Sequence, residues 1–427
     1  MDSAISSVRA RRIWDSRGRP TVEVEIALED GSVGFGIAPA GASRGSREAV
    51  DRRDGGAALG GFGVDGALAG LRQEIGPALL GHDAVDQAGA DQLLIRLDGT
   101  PNKARLGGNA IVAASLAVLH AAAAHARLPL WAYLAGGAPV SIPLPEIQIF
   151  GGGAHAGRRI DIQDLMIMAP SATSFDEALA MTAEVYGAAG RLMEERGLRS
   201  GVADEGGWWP LFDSNEAALE MLVRAIEAAG YTPGREIAIS LDIAASEFGR
   251  GGRYHLGLDA REYDSDGLCE LMVGWCERFP ILSIEDPLAE DDRAGLMRFT
   301  RAVGATVQVI GDDFLVTDAA LVEAAARDGA VNAVLIKVNQ AGTVTEAKAA
   351  LDAGKAAGFG TIVSARSGET EDVTIAHLAV GWNAGQLKVG SFSRSDRMAK
   401  WNEVLRIEDR RPGPFAGLTG LPMTRRT

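Results

Sequence analysis

Short apolar runs recur through the second half of the chain, and each meets a charged residue where it stops. Asp242 closes AISLD, Glu285 closes ILSIE, Asp312 closes VQVIGD, Lys337 closes AVLIK and Lys388 closes GQLK. Amphipathic stretches such as DGLCELMVGWCERF, TDAALVEAAARDG and TVTEAKAALDAGKAAGF follow, with apolar residues at helical spacing. Strand and helix in alternation predict parallel βα units, and a barrel closed from such units gathers the C-terminal ends of its strands on one face. Three carboxylates and two lysines are therefore expected around one mouth.

The first part of the chain has a different pattern. TVEVEIALEDGSVGFGIA predicts two antiparallel strands joined at an Asp-Gly turn, and Gly108 to Arg127 predicts an Ala-rich helix buried in a core. This gives an N-terminal α+β domain at 1–138. An α/β domain, a TIM-type β/α barrel, follows at 139–427 after the Gly-Gly-Ala-Pro linker. Leu144 to Phe150 opens its strand-like structure, and alternation runs from Ile160 almost to Arg406.

Composition narrows the class. At 427 residues, 47% apolar and 23% charged, the chain has the make-up of a soluble globular protein with room for two cores. The longest mostly apolar stretch, Ala110 to Ala124, falls short of the ~20 residues of a membrane span, and the N-terminus lacks a signal-peptide core. A cytoplasmic protein is expected. A net charge of −15 disfavours nucleic acid and anionic membrane as partners. Cys269 and Cys276 sit seven apart in a predicted helix, too distant to pair, and are read as reduced thiols.

Any one of Asp242, Glu285 and Asp312 alone reads more readily as a loop acid, whereas the three on successive strands, followed by a strand-end lysine, suit a magnesium cage at a barrel mouth. A lysine buried at a strand end needs a paired charge or a use for its proton. Beside divalent cations its neutral form is favoured, since a like charge at ~4 Å costs about 4 kcal/mol at an effective dielectric near 20. Lys337 is then a base for removing a proton α to a carboxylate. Glu205, in VADEGGWWP, is either the acid for a leaving hydroxyl or a turn acid. His155 lies in a flexible glycine loop that suits a substrate contact. Arg366, Ser367 and Lys388 can hold a phosphate or phosphonate, although Arg366 can instead pair with Glu369 or Glu371. AGASRGSRE has the composition of a mobile lid, from which Ser43 can reach a metal.

Taken together, DSRGRPTVEVE, LDGTPNKARLGGNAI, ADEGG, SIEDPLAEDD, IKVNQAGTVTEA and RSGETEDVTIA resemble enolase, over nearly the whole chain. A lysine base beside divalent cations is the general pattern of the enolase superfamily. The resemblance implies an α+β domain on an eight-stranded barrel whose early strands depart from simple βα order, two Mg2+ per site, and a homodimer or dimer-based oligomer. It implies Asp242, Glu285 and Asp312 on the first metal, Ser43 helping to hold the second, Lys337 as base and Glu205 as acid. Asp164 is counted with the catalytic residues, and His155, Gln163, Arg366, Ser367 and Lys388 with the substrate contacts. The substrate would be 2-phosphoglycerate or a close phosphorylated analogue, yielding an enolpyruvate.

Several positions depart from that pattern. Ala365 stands where the family has histidine, and Asp164 where it has glutamate. The lid reads Ala40, Gly41, Ala42, Ser43 and Arg44, Arg158 replaces an asparagine, and Trp208 and Trp209 replace smaller residues. More room, more positive charge and a stacking surface suggest an alternative, the carboxyphosphonoenolpyruvate synthase branch of phosphonate biosynthesis, acting with an activated phosphonoformate.

Overall fold

The computed structural model describes residues 2–422, so that residues 1 and 423–427 of the expected domain spans lie outside it. Only the elements used below are numbered. β1 (Ile5–Trp14), β2 (Pro20–Leu28) and β3 (Val33–Ile37) form an antiparallel sheet in that order. The Asp-Gly turn joins β2 to β3 as expected, with Gly31 at φ +86°. β1 is not announced by sequence pattern, because serines and arginines break up its apolar positions.

α2 (Gly108–His125) covers this sheet, and α1 (Gln87–Asp98) packs against α2. Small residues meet here: a Cβ on Gly34 or Gly36 would come within 2.1 Å of the α2 backbone, so the glycines of VGFGI let the Ala-rich helix lie directly on β3. α2 is 18 residues long and apolar enough for a membrane, yet 83% of it is buried inside the protein, which makes it the core helix expected. Ser115 on α2 donates to Asp91 on α1 at 2.6 Å, and these two side chains accept the backbone N–H groups of Val344 (3.0 Å) and Thr345 (2.9 Å). Buried polar bonds thereby tie the N-terminal unit to the barrel.

The barrel closes from eight strands: β4 (Leu144–Gly151), β5 (Asp164–Met168), β6 (Ala238–Asp242), β7 (Ile281–Glu285), β8 (Gln308–Gly311), β9 (Ala333–Ile336), β10 (Gly360–Ser364) and β11 (Gly385–Ser391). β11 returns to pair with β4. β5 alone runs against its neighbours, antiparallel to both β4 and β6, which is the departure from βα order that the resemblance implies. The helical hairpin of α3 (Phe175–Glu195) and α4 (Asn215–Ala228) links β5 to β6. Thereafter α5 (Ser265–Arg278), α6 (Arg293–Val303), α7 (Ala319–Asp328), α8 (Val344–Ala356), α9 (Thr374–Gly381) and α10 (Ser395–Glu408) complete the ring. α7 is capped by Asp318, and Asp313 lies outside its cap.

Candidate active site

Asp242 and Glu285 are the last residues of β6 and β7, while Asp312 and Lys337 directly follow β8 and β9. Lys388 lies inside β11, which continues to Ser391. Because β5 is reversed, its first residue, Asp164, arrives at this same mouth and pairs in register with Asp242. Lys388 Nζ stands at the centre, 2.9 Å from Asp242 Oδ2, 2.8 Å from Glu285 Oε2 and 3.5 Å from Asp164 Oδ2. Gln163 donates from Nε2 to Asp242 Oδ2 at 3.1 Å.

Lys337 makes its ion pair with Asp312, whose other oxygen accepts from Gln340 Nε2 at 2.8 Å. Arg366 pairs with neither Glu369 nor Glu371: its guanidinium bonds Glu48 Oε2 at 2.9 Å, Asn339 Oδ1 at 3.0 Å and the Ser43 carbonyl at 3.0 Å. Glu369 instead accepts the Arg366 backbone N–H at 2.8 Å, which shapes the turn. The loop expected as a lid is docked on the site. Ala42 N–H reaches Ser367 Oγ at 3.2 Å, Ser43 Oγ lies 3.4 Å from Gln163 Nε2, and a Cβ on Gly41 would strike the Arg366 guanidinium at 2.0 Å.

His155 is only 4% exposed, so the flexible loop expected of its glycines is not found. Its ring is clamped, Nδ1 3.0 Å from Asp164 Oδ1 and Nε2 3.0 Å from Ser367 Oγ, with Glu205 Oε1 3.6 Å away. The small pocket between these groups is lined by Ser43, His155, Gln163, Asp164, Glu205, Asp242, Lys337, Arg366, Ser367, Lys388 and Ala365. Trp208 offers no free stacking face. It stacks on Tyr186 with centroids 4.6 Å apart and donates to the Tyr186 carbonyl at 2.9 Å. Arg158 is committed to Glu247 at 2.6 Å. Glu48, Asp286 and Gln340 were missed by sequence reading. Asp286, next to Glu285, accepts the backbone N–H groups of Asp312 (3.0 Å) and Asp313 (2.8 Å), and the strand-ending SIED was its only signal.

Residues 139–420 match the family model for the enolase C-terminal TIM barrel domain, and residues 5–134 the enolase N-terminal domain. The chain belongs to the enolase family. Enolase 1 of Desulfitobacterium hafniense (strain Y51) is 47% identical to it over 408 residues, 95% of this chain and 93% of that protein. Enolase-family membership makes it a lyase-type enzyme.

Enolase-type sites work with magnesium, and the residues here fit a divalent cation. One buried lysine serves three carboxylates, and the charges do not balance. Burial first, then the like charge of Asp242, push the Glu285 carboxyl well above its ordinary value despite Lys388. Burial and the neighbouring Asp312 raise Asp286 to about 8. Glu285 Oε1 and Gln163 Oε1 are buried acceptors without a donor. Among the described residues, two groups bring ligand atoms within 4.8 Å of one another: His155, Asp164 and Glu205, and Asp286, Asp312 and Asp313. The expected trio of Asp242, Glu285 and Asp312 is not such a group, because Lys388 holds the first two and Lys337 the third. Burial, the largest influence on Lys337, would lower its pKa, but Asp312 together with Glu285 outweighs burial, so the protein's own groups hold the amine protonated.

Proposed function

We propose that this enolase-family chain is a magnesium-dependent lyase that removes the proton α to a carboxylate and expels the β-hydroxyl of 2-phosphoglycerate or a close phosphorylated analogue. The observation that carries this is one pocket lined by both Lys337 and Glu205, a candidate base and acid, together with Arg366, Ser367 and Lys388, which can hold an anion. Residues 1–138 act as the cap and 139–427 as the catalytic barrel.

Arg366, Ser367 and Lys388 bind and orient the substrate's anionic groups, with His155 and Gln163 at its sides. Asp242, Glu285, Asp312 and Ser43 would hold magnesium, which would supply positive charge beside the substrate carboxylate; an Asp312 carboxylate engaged in that way would no longer hold the Lys337 proton, and the free amine would be the base. Lys337 Nζ takes the α-proton, and the electron pair becomes the new carbon–carbon double bond. The β C–O bond then breaks, and Glu205 protonates the departing hydroxyl to give water. Asp164 holds His155 in place against that acid. The docked 40–48 loop keeps water out of the pocket. Mixing the protein with 2-phosphoglycerate and magnesium should generate the ultraviolet absorbance of the enolpyruvate, and no turnover at high enzyme concentration overturns the reading.

A second reading couples the same proton abstraction to an activated phosphonoformate. Ala365, on the pocket wall where a histidine is expected, supports it, as does the open groove beside Arg159 and Trp209. Phosphorus NMR after adding activated phosphonoformate should then show a new species. The same proposal includes a homodimer or dimer-based oligomer working in the cytoplasm, which sedimentation and cell fractionation check.

A further inference from the structure

The first turns of α10, SDRMAK, send two cations inward. Arg397 and Lys400 are both 0% exposed, a placement that is costly unless their donors are used. Arg397 donates from Nη1 to the carbonyls of Arg366 and Val389, each at 2.7 Å, and from Nη2 to the carbonyl of Ser367 at 2.5 Å. Asp396 Oδ2 lies 2.9 Å from Nε, close enough for an ion pair but without hydrogen-bond alignment. Lys400 grips the next stretch, donating to the Thr370 carbonyl at 2.9 Å, with Glu369 Oε2 at 3.2 Å.

The carbonyls that Arg397 takes are informative. Two belong to Arg366 and Ser367, and the third to the residue after Lys388. These lie on separate segments, the turn after β10 and the middle of β11. A planar guanidinium fixes the spacing of what it bonds, as an ammonium does not. Its stem also runs under Gly390, where a Cβ would lie 3.1 Å from Arg397 Cδ and 3.0 Å from the Glu205 carbonyl. That carbonyl accepts the Ser391 N–H at 2.9 Å. One side chain thus sits behind the anion-holding groups and behind the acid.

We propose that Arg397 is a positioning residue for substrate binding: its fork sets the distance between the Arg366–Ser367 turn and Lys388, and with it the grip on the substrate's anionic groups. This rests on the reading that those three residues bind the substrate. Arg397→Lys keeps the charge and loses the fork. Since a displacement of about 1 Å at a site can cost ~100-fold, the variant should raise KM for 2-phosphoglycerate about tenfold or more while kcat stays within about threefold.

A merely structural role would lower Tm and leave the folded enzyme with the wild-type KM, which overturns the proposal. Should Arg397→Lys not fold, Asp396→Asn, which frees the guanidinium on its Nε side, should still raise KM about threefold. An unchanged KM in that variant overturns the proposal equally. Calorimetric titration with inorganic phosphate separates this inference from the functional reading. If wild type fails to turn over 2-phosphoglycerate yet binds phosphate about tenfold tighter than the variant, only the functional reading falls. If the two proteins bind phosphate alike, or neither binds it, the positioning role falls.

Discussion

Asp164 opens β5, Asp242 closes β6, and the two stand directly across from each other. Opposite ends of two strands meet only because β5 runs backwards. The reversal packs a third carboxylate around Lys388 and gives His155 the oxygen that holds its ring.

Lys337→Met should lower turnover by about 10³-fold, within the range general-base catalysis supplies. Asp312 retains its bond from Gln340, so the fold should survive. Exchange of the substrate α-proton in D2O, followed by NMR, should vanish in parallel, and persistent exchange would assign the base elsewhere.

Glu48→Gln should destabilise the protein by about 3–5 kcal/mol, because it breaks a buried pair and strands the Arg366 charge. Glu48 also accepts the Gly45 N–H at 2.9 Å, so loop 40–48 should become protease-sensitive. Urea denaturation and limited proteolysis provide the two measurements.

Magnesium should stabilise the wild type against thermal unfolding, by about 2.7 kcal/mol at one hundred times its Kd. Asp242→Ala removes one wall of the cage and should abolish this shift in scanning calorimetry, with and without EDTA. A full shift in the variant would place the cation elsewhere.

His377 bears on stability rather than chemistry. Burial lowers it from 6.5 to about 4, outweighing Glu403 at 3.4 Å. Below pH 6.5 the unfolded chain takes up a proton that the folded chain refuses, so this residue's effect is to lower stability as pH falls from 6.5 toward 4, with no further loss below that. Between pH 7.5 and 5 the wild type should lose about 2 kcal/mol more than His377→Gln, at 1.36 kcal/mol per pKa unit. Equal losses in urea titrations would exclude this.

Much of this architecture was readable beforehand. The helices over DGLCELMVGWCERF, TDAALVEAAARDG and TVTEAKAALDAGKAAGF formed where 3.6-residue spacing put them, at Ser265–Arg278, Ala319–Asp328 and Val344–Ala356. The strand-end acids and lysines reached one mouth because barrel closure leaves them no other place. β1 escaped notice because its apolar positions carry no clean alternation. Glu48 and Gln340 escaped because nothing local distinguishes a surface-type side chain from one that completes a distant ion pair.

Periodicity and chain order alone decided that strands alternate with helices and that Asp242, Glu285, Asp312, Lys337 and Lys388 share a face, since these are properties of neighbouring residues. The tertiary structure decided the direction of β5, the choice of Glu48 over Glu369 for Arg366, and the burial of Arg397 behind the site. Such outcomes depend on which charges lose water together, and that is settled only when segments hundreds of residues apart are brought into contact.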